Sequence, residues 1–551
     1  MNRNTENHFG NNPSKSMPRS AFKMSHSHTT SFSTGSIIPI YWKDCLPGDS
    51  VKMNVAELIR MTTPIHPVMD NAYIDTYFFK VPRRLVYSHF EELMGENKDD
   101  AWTPTKEYEL PQVTAPEGGW SKGTLADYFG IRTGVDGISI DASWFRAYAL
   151  IYNEWFRSEA LIEPAEITMD DTTTSGSNGT DYVTDLQKGG MPAKAGKMAG
   201  YYTRALPEPQ RGPDIFVPLG ESAPVIGTGM TMGLTDGTND LGLQMNNVSN
   251  VYGYVGSASL GAYGKHVGTT SPTPNKTGKT LGLTDDPEKS GLIADLQNTT
   301  GGATINALRQ AFAIQRLYEL DATSGGRYIE QIRGHFKVNV PDARLQRPEY
   351  VGGKRVNINM MDVINTASGG DLPLGHEAGE SKTIDNSQYI ETAFVEHSLL
   401  IGLAVVRTDH SYQQRIPREF SKKKRLDFYY PELANLGEQK ILNKEIFVQG
   451  TAEDDEVFGY QEAWAEYRYE ENYITGAMNS DYAQSLDSMH YGDDYESLPT
   501  LSQAWIVEPE TNVARTLAVQ NEDQFIAQFY FDSTWYRPLP IYSIPSLQGW
   551  F

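Results

Sequence analysis

An antiparallel β-sandwich of jelly-roll type, interrupted by long excursions, is the fold class this sequence predicts. Strand signals are scattered along the whole chain between long polar connections, and two helical stretches sit inside those connections without an alternating βαβ rhythm. No short self-similar period is present, which sets aside solenoids and propellers.

Residues 1–36 are rich in Asn, Ser, Thr and His and carry Arg3, Lys15, Arg19 and Lys23 against Glu6 alone. With so little apolar mass the segment reads as a flexible basic arm. Residues 37–220 read as the first part of the sandwich domain. Within it Ala72–Val81 is a largely buried strand that Pro82 ends. A helix is expected near 141–163: Asp141 can cap it, Trp144, Tyr148, Ile151 and Trp155 recur at three- and four-residue spacing, and Pro164 stops it.

From Glu221 to Asp295 there are thirteen glycines and only Tyr252, Tyr254 and Tyr263 as aromatics, too little to build an independent core. This segment reads as an exposed surface insertion. Residues 296–551 hold the remainder of the sandwich. A helix over Thr304–Leu320 places Ile305, Leu308, Phe312 and Leu317 near one face, with Gly325 and Gly326 at its stop. Strands are expected at Val351–Met361, Tyr389–Thr408, Ile441–Val448, Ala504–Val507 and Phe525–Asp532. The aromatic C-terminus contains Phe529–Phe531, Trp535, Tyr536, Tyr542, Trp550 and Phe551, with prolines at 538, 540 and 545. It reads as an extended tail in need of a groove, on its own subunit or a neighbour.

Seventy acidic against forty-seven basic residues give a net charge of −23, which argues against nucleic-acid binding over the whole surface and confines any polyanion contact to a patch. Cys45 is the only cysteine, so neither an intrachain disulfide nor a multi-cysteine zinc site is available, in keeping with a reducing compartment. Residues 1–36 lack the apolar segment of a signal peptide, and the longest apolar run, Leu399–Val406, is too short to span a bilayer. Folding in the cytoplasm without membrane insertion is the expectation.

The usual entry points to catalysis are missing. His376–Glu380 lacks the second histidine of a zinc-hydrolase motif, and neither a G-x-S-x-G elbow nor a phosphate-binding loop occurs. His26 and His28 read as two solvated histidines, because a metal site needs further ligands and fixed geometry. Ala452–Glu496 holds thirteen carboxylates with Arg468 as its one Lys or Arg, interleaved with nine aromatics including Trp464. A glycosidase would use such carboxylates beside aromatic platforms; an acidic solvated surface or a subunit contact explains them more simply, and Glu453–Glu456 lacks the calcium-loop pattern. No cofactor is implied.

The basic residues are concentrated. Arg415, Arg418, Lys422, Lys423, Lys424 and Arg425 face only Glu419 across eleven residues, a net +5 in an acidic protein. Such a patch can neutralise phosphates without reading sequence, and Phe428, Tyr429 and Tyr430 could stack on unpaired bases; a solvated loop is the competing reading. A second stretch, Arg327–Arg355, reads as mainly structural.

Four strings point further: Ser25–Phe32 (SHSHTTSF), Arg146–Arg157 (RAYALIYNEWFR), Ala343–Gly353 (ARLQRPEYVGG) and Tyr430–Leu433 (YPEL). In this order they resemble the major capsid proteins of the Microviridae, specifically the gokushoviruses, from about Ser25 to the C-terminus. The resemblance implies an eight-stranded jelly roll, assembly into a T=1 icosahedral shell around circular single-stranded DNA, and an insertion forming protrusions at the three-fold axes. Residues 221–295, with Tyr252, Tyr254 and Tyr263, match that insertion.

It also implies partners: further copies of the chain, a small basic DNA-packing protein, a minor pilot protein, internal scaffolding and a bacterial surface receptor. The expected genome-facing residues are Lys15, Arg19 and Lys23 of the arm and the six cations of Arg415–Arg425. The alternative from another class is a secreted glycan-binding or glycoside-hydrolysing β-protein using the carboxylates near Trp464.

Overall fold

The computed structural model describes residues 19–96, 106–210, 346–366, 373–520 and 522–542, together with Gly212 and several strands and helices between 225 and 337. The chain divides into two compact units, one of residues 1–209 and 324–551 and one of residues 210–323.

The first unit is built on nine strands: β1 (Ser20–Lys23), β2 (His26–Phe32), β3 (Ile38–Cys45), β4 (Ser50–Met61), β5 (Ala72–Pro82), β6 (Glu349–Asn357), β7 (Thr383–Ala393), β8 (Ser398–Thr408) and β9 (Phe525–Arg537). They form two antiparallel sheets. Sheet I runs β1-β9-β4-β7 with β2 also paired to β9, and sheet II runs β6-β5-β8-β3. Counted from β2, the chain crosses between sheets at every step except β5 to β6, the interleaving expected of a jelly roll. Two connections are long: residues 83–348 between β5 and β6, and residues 409–524 between β8 and β9.

Side-chain alternation explains the layers. In β4, Val51, Met53, Val55, Ile59 and Met61 are buried, whereas Lys52, Asn54 and Arg60 point outward. β9 does the same with Phe525, Ala527, Phe529, Phe531 and Trp535 inward and Ile526, Tyr530 and Tyr536 exposed. Sheet I therefore has one open face. β8 is buried on both sides: Leu400, Ala404 and Val406 join the core between the sheets, while Leu399, Ile401, Leu403 and Val405 join a second core under the long excursion. A Cβ at Gly402 would come within 2.7 Å of Phe78 and 2.8 Å of Tyr41, so only glycine permits this approach.

The second core is filled by helix α1 (Ser143–Ile151), which passes into a π-helical turn, Tyr152–Phe156. The N-cap position is held by Ala142 and not by the expected Asp141, whose carboxylate accepts the Ser143 amide at 2.9 Å from one residue earlier. Burial is nearly all round: Phe145, Ala147, Tyr148 and Ile151 are covered, and Arg146 is held by the carbonyls of Val86 and Asp170. The Tyr148 hydroxyl donates to the Ile37 carbonyl at 2.7 Å and ties the helix to the strand framework.

In the second unit, five strands between 233 and 283 form one antiparallel sheet, and Val225–Gly227 pairs with Leu292–Ala294. Helix α2 (Ile305–Ser324) extends the expected Thr304–Leu320 helix at its C-terminal end. Its Leu308, Phe312 and Leu317 are exposed.

Several expectations are corrected. Within the supposed flexible arm, β1 and β2 pair with β9, from Ser20 opposite Arg537 to Phe32 opposite Phe525; backbone hydrogen bonds of the ladder hold a segment whose side chains are mostly polar. Residues 1–18, Lys15 included, lie outside the described residues. Phe529–Tyr536 likewise belongs to β9 at the middle of sheet I, so the extended tail begins only after Arg537. Ala504–Val507 is not a strand: Gln503–Ile506 is a helical turn, because Trp505 and Ile506 plug a third core with Tyr202, Tyr412 and Phe458.

Candidate nucleic-acid interface and its support

The 409–524 excursion carries the basic run, and its folding determines which cations are available. Pro417 precedes a short helical turn, Arg418–Ser421, and a 3-10 turn follows at Arg425–Asp427. The Asp427 carboxylate accepts the Lys423 and Lys424 amides at 2.7 and 2.6 Å, which hold its pKa below the usual carboxylate range.

Three of the six cations are committed to the framework. Arg415 donates to the Tyr202 hydroxyl at 3.0 Å. Arg418 sits 3.1 Å from Glu445 and donates to the Lys440 carbonyl at 2.8 Å. Lys422 donates to the Tyr467 hydroxyl at 2.7 Å, lies 4.3 Å from the centre of that ring and is nearly buried. Lys423, Lys424 and Arg425 are exposed, the last stacked over Tyr430 at 5.3 Å. Around them Phe420, Leu426, Phe428 and Tyr429 are also exposed. The arrangement is a cationic tip with aromatic flanks on a rigid base.

The remaining expected residues are dispersed. Arg19 is tied to the Ser50 hydroxyl at 3.1 Å beside the end of β9, and Lys23 pairs with Asp532 at 3.4 Å on the open face of sheet I. His26 and His28 belong to β2 and not to a free arm: His26 is exposed with its ring stacked on Tyr41, whereas His28 is partly buried and burial lowers its pKa. Tyr252 and Tyr254 lie on a strand of the second unit, and Tyr263 falls outside the described residues.

Most carboxylates of the acidic segment are exposed, and a minority are committed to the framework. Glu466 faces Arg418, and both oxygens of Asp454 accept backbone amides of Gln449 and Gly450. Trp464 closes over this region, its indole donating to the Leu433 carbonyl at 2.9 Å. Among the described residues no group of three or more His, Cys, Asp or Glu side chains could hold a metal ion.

Sequence reasoning missed a buried charge cluster that anchors the excursion. His410 lies 3.2 Å from Asp493 and 3.0 Å from Glu508. Asp493 also takes Lys197 at 3.0 Å and Asn512 at 2.7 Å, and Glu508 accepts the Thr408 amide at 2.9 Å. These residues come from four separated places in the chain, so no spacing motif announces them.

Comparison with known proteins decides what this framework is for. The family described as Capsid protein (F protein) matches residues 10–547. The chain belongs to this capsid F protein family. Capsid protein VP1 of Spiroplasma virus 4 is 40% identical over 539 residues, covering 97% of this chain and 96% of the relative. VP1 of Bdellovibrio phage phiMH2K is 37% identical, covering 100% and 99%. VP1 of Chlamydia phage 1 is 34% identical, covering 98% of each chain.

As a member of the F protein family, the chain is a structural component of a phage capsid and not an enzyme, and it works as a homo-oligomer in the virion. The glycan-active alternative finds no support. No helix among the described residues is long and apolar enough to cross a membrane.

Proposed function

We propose that copies of this chain close into a T=1 icosahedral shell around a circular single-stranded DNA genome. The observation that carries the reading is end-to-end similarity to phage capsid proteins, with 96–99% of each relative covered. A sandwich with an open sheet face bearing Tyr389, Tyr530 and Ile526 fits a subunit that buries further apolar surface against its neighbours. The net charge of −23 keeps free subunits apart until several contacts form together.

In this reading Lys423, Lys424 and Arg425, together with the N-terminal cations, contact genome phosphates without sequence preference. The second unit forms the three-fold protrusion, with Tyr252, Tyr254 and Tyr263 within it, and meets a bacterial surface receptor. Synthesis and assembly take place in the host cytoplasm, alongside a DNA-packing protein, a pilot protein and scaffolding. Negative-stain microscopy and size-exclusion chromatography of the purified chain test the central claim: closed particles or pentamers are expected, and a monomer under every salt and pH condition overturns it.

A further inference from the structure

The run from Arg418 to Tyr429 puts four large apolar side chains into solvent: Phe420 is 82% exposed, Leu426 71%, Phe428 51% and Tyr429 45%. Apolar groups gathered in this way on a surface mark a contact site. The same run exposes Lys423, Lys424 and Arg425, and among the described residues none of the three forms an ion pair. The carboxylates around them are engaged elsewhere. Asp427 accepts two backbone amides, Glu466 faces Arg418 and Lys422, and Asp455 pairs with Lys444 and reaches Lys423 only at longer range. Within the run Glu419 presents the one exposed carboxylate.

The three aromatic rings that follow are not equivalent. Tyr430 is half-buried and carries the Arg425 guanidinium 5.3 Å from its ring centre, so it serves as a rest for that cation. Phe428 is backed by the nearly buried Lys422 ammonium at 5.7 Å. Tyr429 stands nearly perpendicular to Trp464 at 5.6 Å and tilts against Tyr467 at 6.3 Å. Phe428 and Tyr429 are thus held in place while much of each ring stays in water, and a fixed ring gives up little entropy when a partner covers it.

Exposed cations call for an anionic partner, and fixed ring surface beside them calls for a flat one. Each nucleotide of a single strand brings a phosphate and an open base face; in a duplex the bases cover one another and offer such a tip only phosphates. A protein partner would bring carboxylates with aliphatic bulk instead.

We propose that Phe428 and Tyr429 are stacking platforms for unpaired bases, so that the tip selects single-stranded over duplex nucleic acid, with Tyr430 kept as the rest for Arg425. This deepens the genome-contact reading of the same tip, on which it rests, by naming the form of nucleic acid it takes. The test measures binding of the full chain to a labelled thymidine oligonucleotide and to a duplex of equal length at several salt concentrations. Phe428→Leu combined with Tyr429→Leu keeps apolar bulk and removes the rings; it is expected to weaken single-strand binding about tenfold while leaving duplex binding and the salt slope unchanged. An undiminished preference for the single strand overturns the proposal and leaves the phosphate contact standing, since apolar bulk without a ring would then suffice, as it would for a protein partner. If Lys423→Gln, Lys424→Gln and Arg425→Gln together change neither affinity nor salt slope, the genome-contact reading falls and this proposal falls with it. An unchanged melting temperature certifies that each variant is folded. Photocrosslinking of an iodouracil-substituted strand to the unaltered chain gives a second readout: adducts on Phe428 or Tyr429 are expected, and adducts confined to other residues overturn the stacking.

Discussion

His410 and Asp493 meet 3.2 Å apart with side chains only 5% and 3% exposed, and this ion pair joins the end of β8 to the excursion that follows it. Burial pushes the imidazole toward its neutral form, but Asp493 and Glu508 outweigh that effect and raise its pKa to about 9. Burial likewise opposes the Asp493 charge, and His410 and Lys197 overcome it, holding this carboxyl far below its ordinary range. The folded-state histidine pKa is above the unfolded value, so its stabilisation is complete below about pH 6.5 and is lost as pH rises through 9. The aspartate term is present above about pH 4 and fades as pH falls further. We expect His410→Gln to lower the melting temperature most at pH 6–7 and to flatten its decline between pH 6.5 and 9. An unchanged profile would show that the imidazole is not charged in the folded protein.

Glu57 should behave in the opposite sense. It points into the sandwich from β4, 4% exposed, and its Oε2 finds no hydrogen-bond partner among the described residues. Burial raises its pKa to about 7, with nearby Asp385 adding to the shift. A carboxyl that holds its proton more tightly when folded costs stability as pH rises from about 4.5 to 7. Glu57→Gln is expected to stabilise the protein at pH 8 by on the order of 2 kcal/mol and to have little effect at pH 4, as measured by chemical denaturation.

The cationic tip makes a prediction about the genome contact. Replacing Lys423, Lys424 and Arg425 by Gln should weaken single-stranded DNA retention and reduce the slope of log affinity against log salt by about two, at ~0.7 per phosphate contact. Arg418→Gln should instead destabilise the fold, because it leaves the buried Glu445 without its ion-pair partner. An unchanged salt slope in the triple variant would remove these residues from the interface.

Deleting Glu221–Asp295 is expected to leave the sandwich folded with an unchanged melting temperature while altering three-fold stability or host attachment. None of the three hydrophobic cores found among the described residues draws on this segment. Loss of cooperative unfolding in the deletion variant would show that the insertion supports the framework after all.

How much of this was legible in the sequence varies with the kind of interaction. β5, β8 and β9 announce themselves, because strands buried on one or both faces need apolar residues at fixed intervals and Val, Ile and Phe supply them. β2 does not, since His26–Phe32 buries little beyond Phe32 and is held by its ladder with β9. The basic run was visible as a charge excess, but its division into structural and exposed cations depends on Glu445, Glu466 and Tyr202, which only tertiary folding brings near. The His410 cluster is assembled from distant strands and loops, and no local pattern encodes it.

The place of β9 between β2 and β4 has a consequence for biosynthesis. This central strand of sheet I leaves the ribosome several hundred residues after the strands on either side of it. β4 therefore waits with both edges unpaired until β7 is made and with one edge unpaired until β9 follows, when Phe525–Tyr536 pairs with Ser50–Met61 and completes the sheet. Closure waits for β9, and pairing across so large a sequence separation is intrinsically slow. Until it occurs, the nascent polypeptide presents an adhesive edge of the kind that molecular chaperones shield.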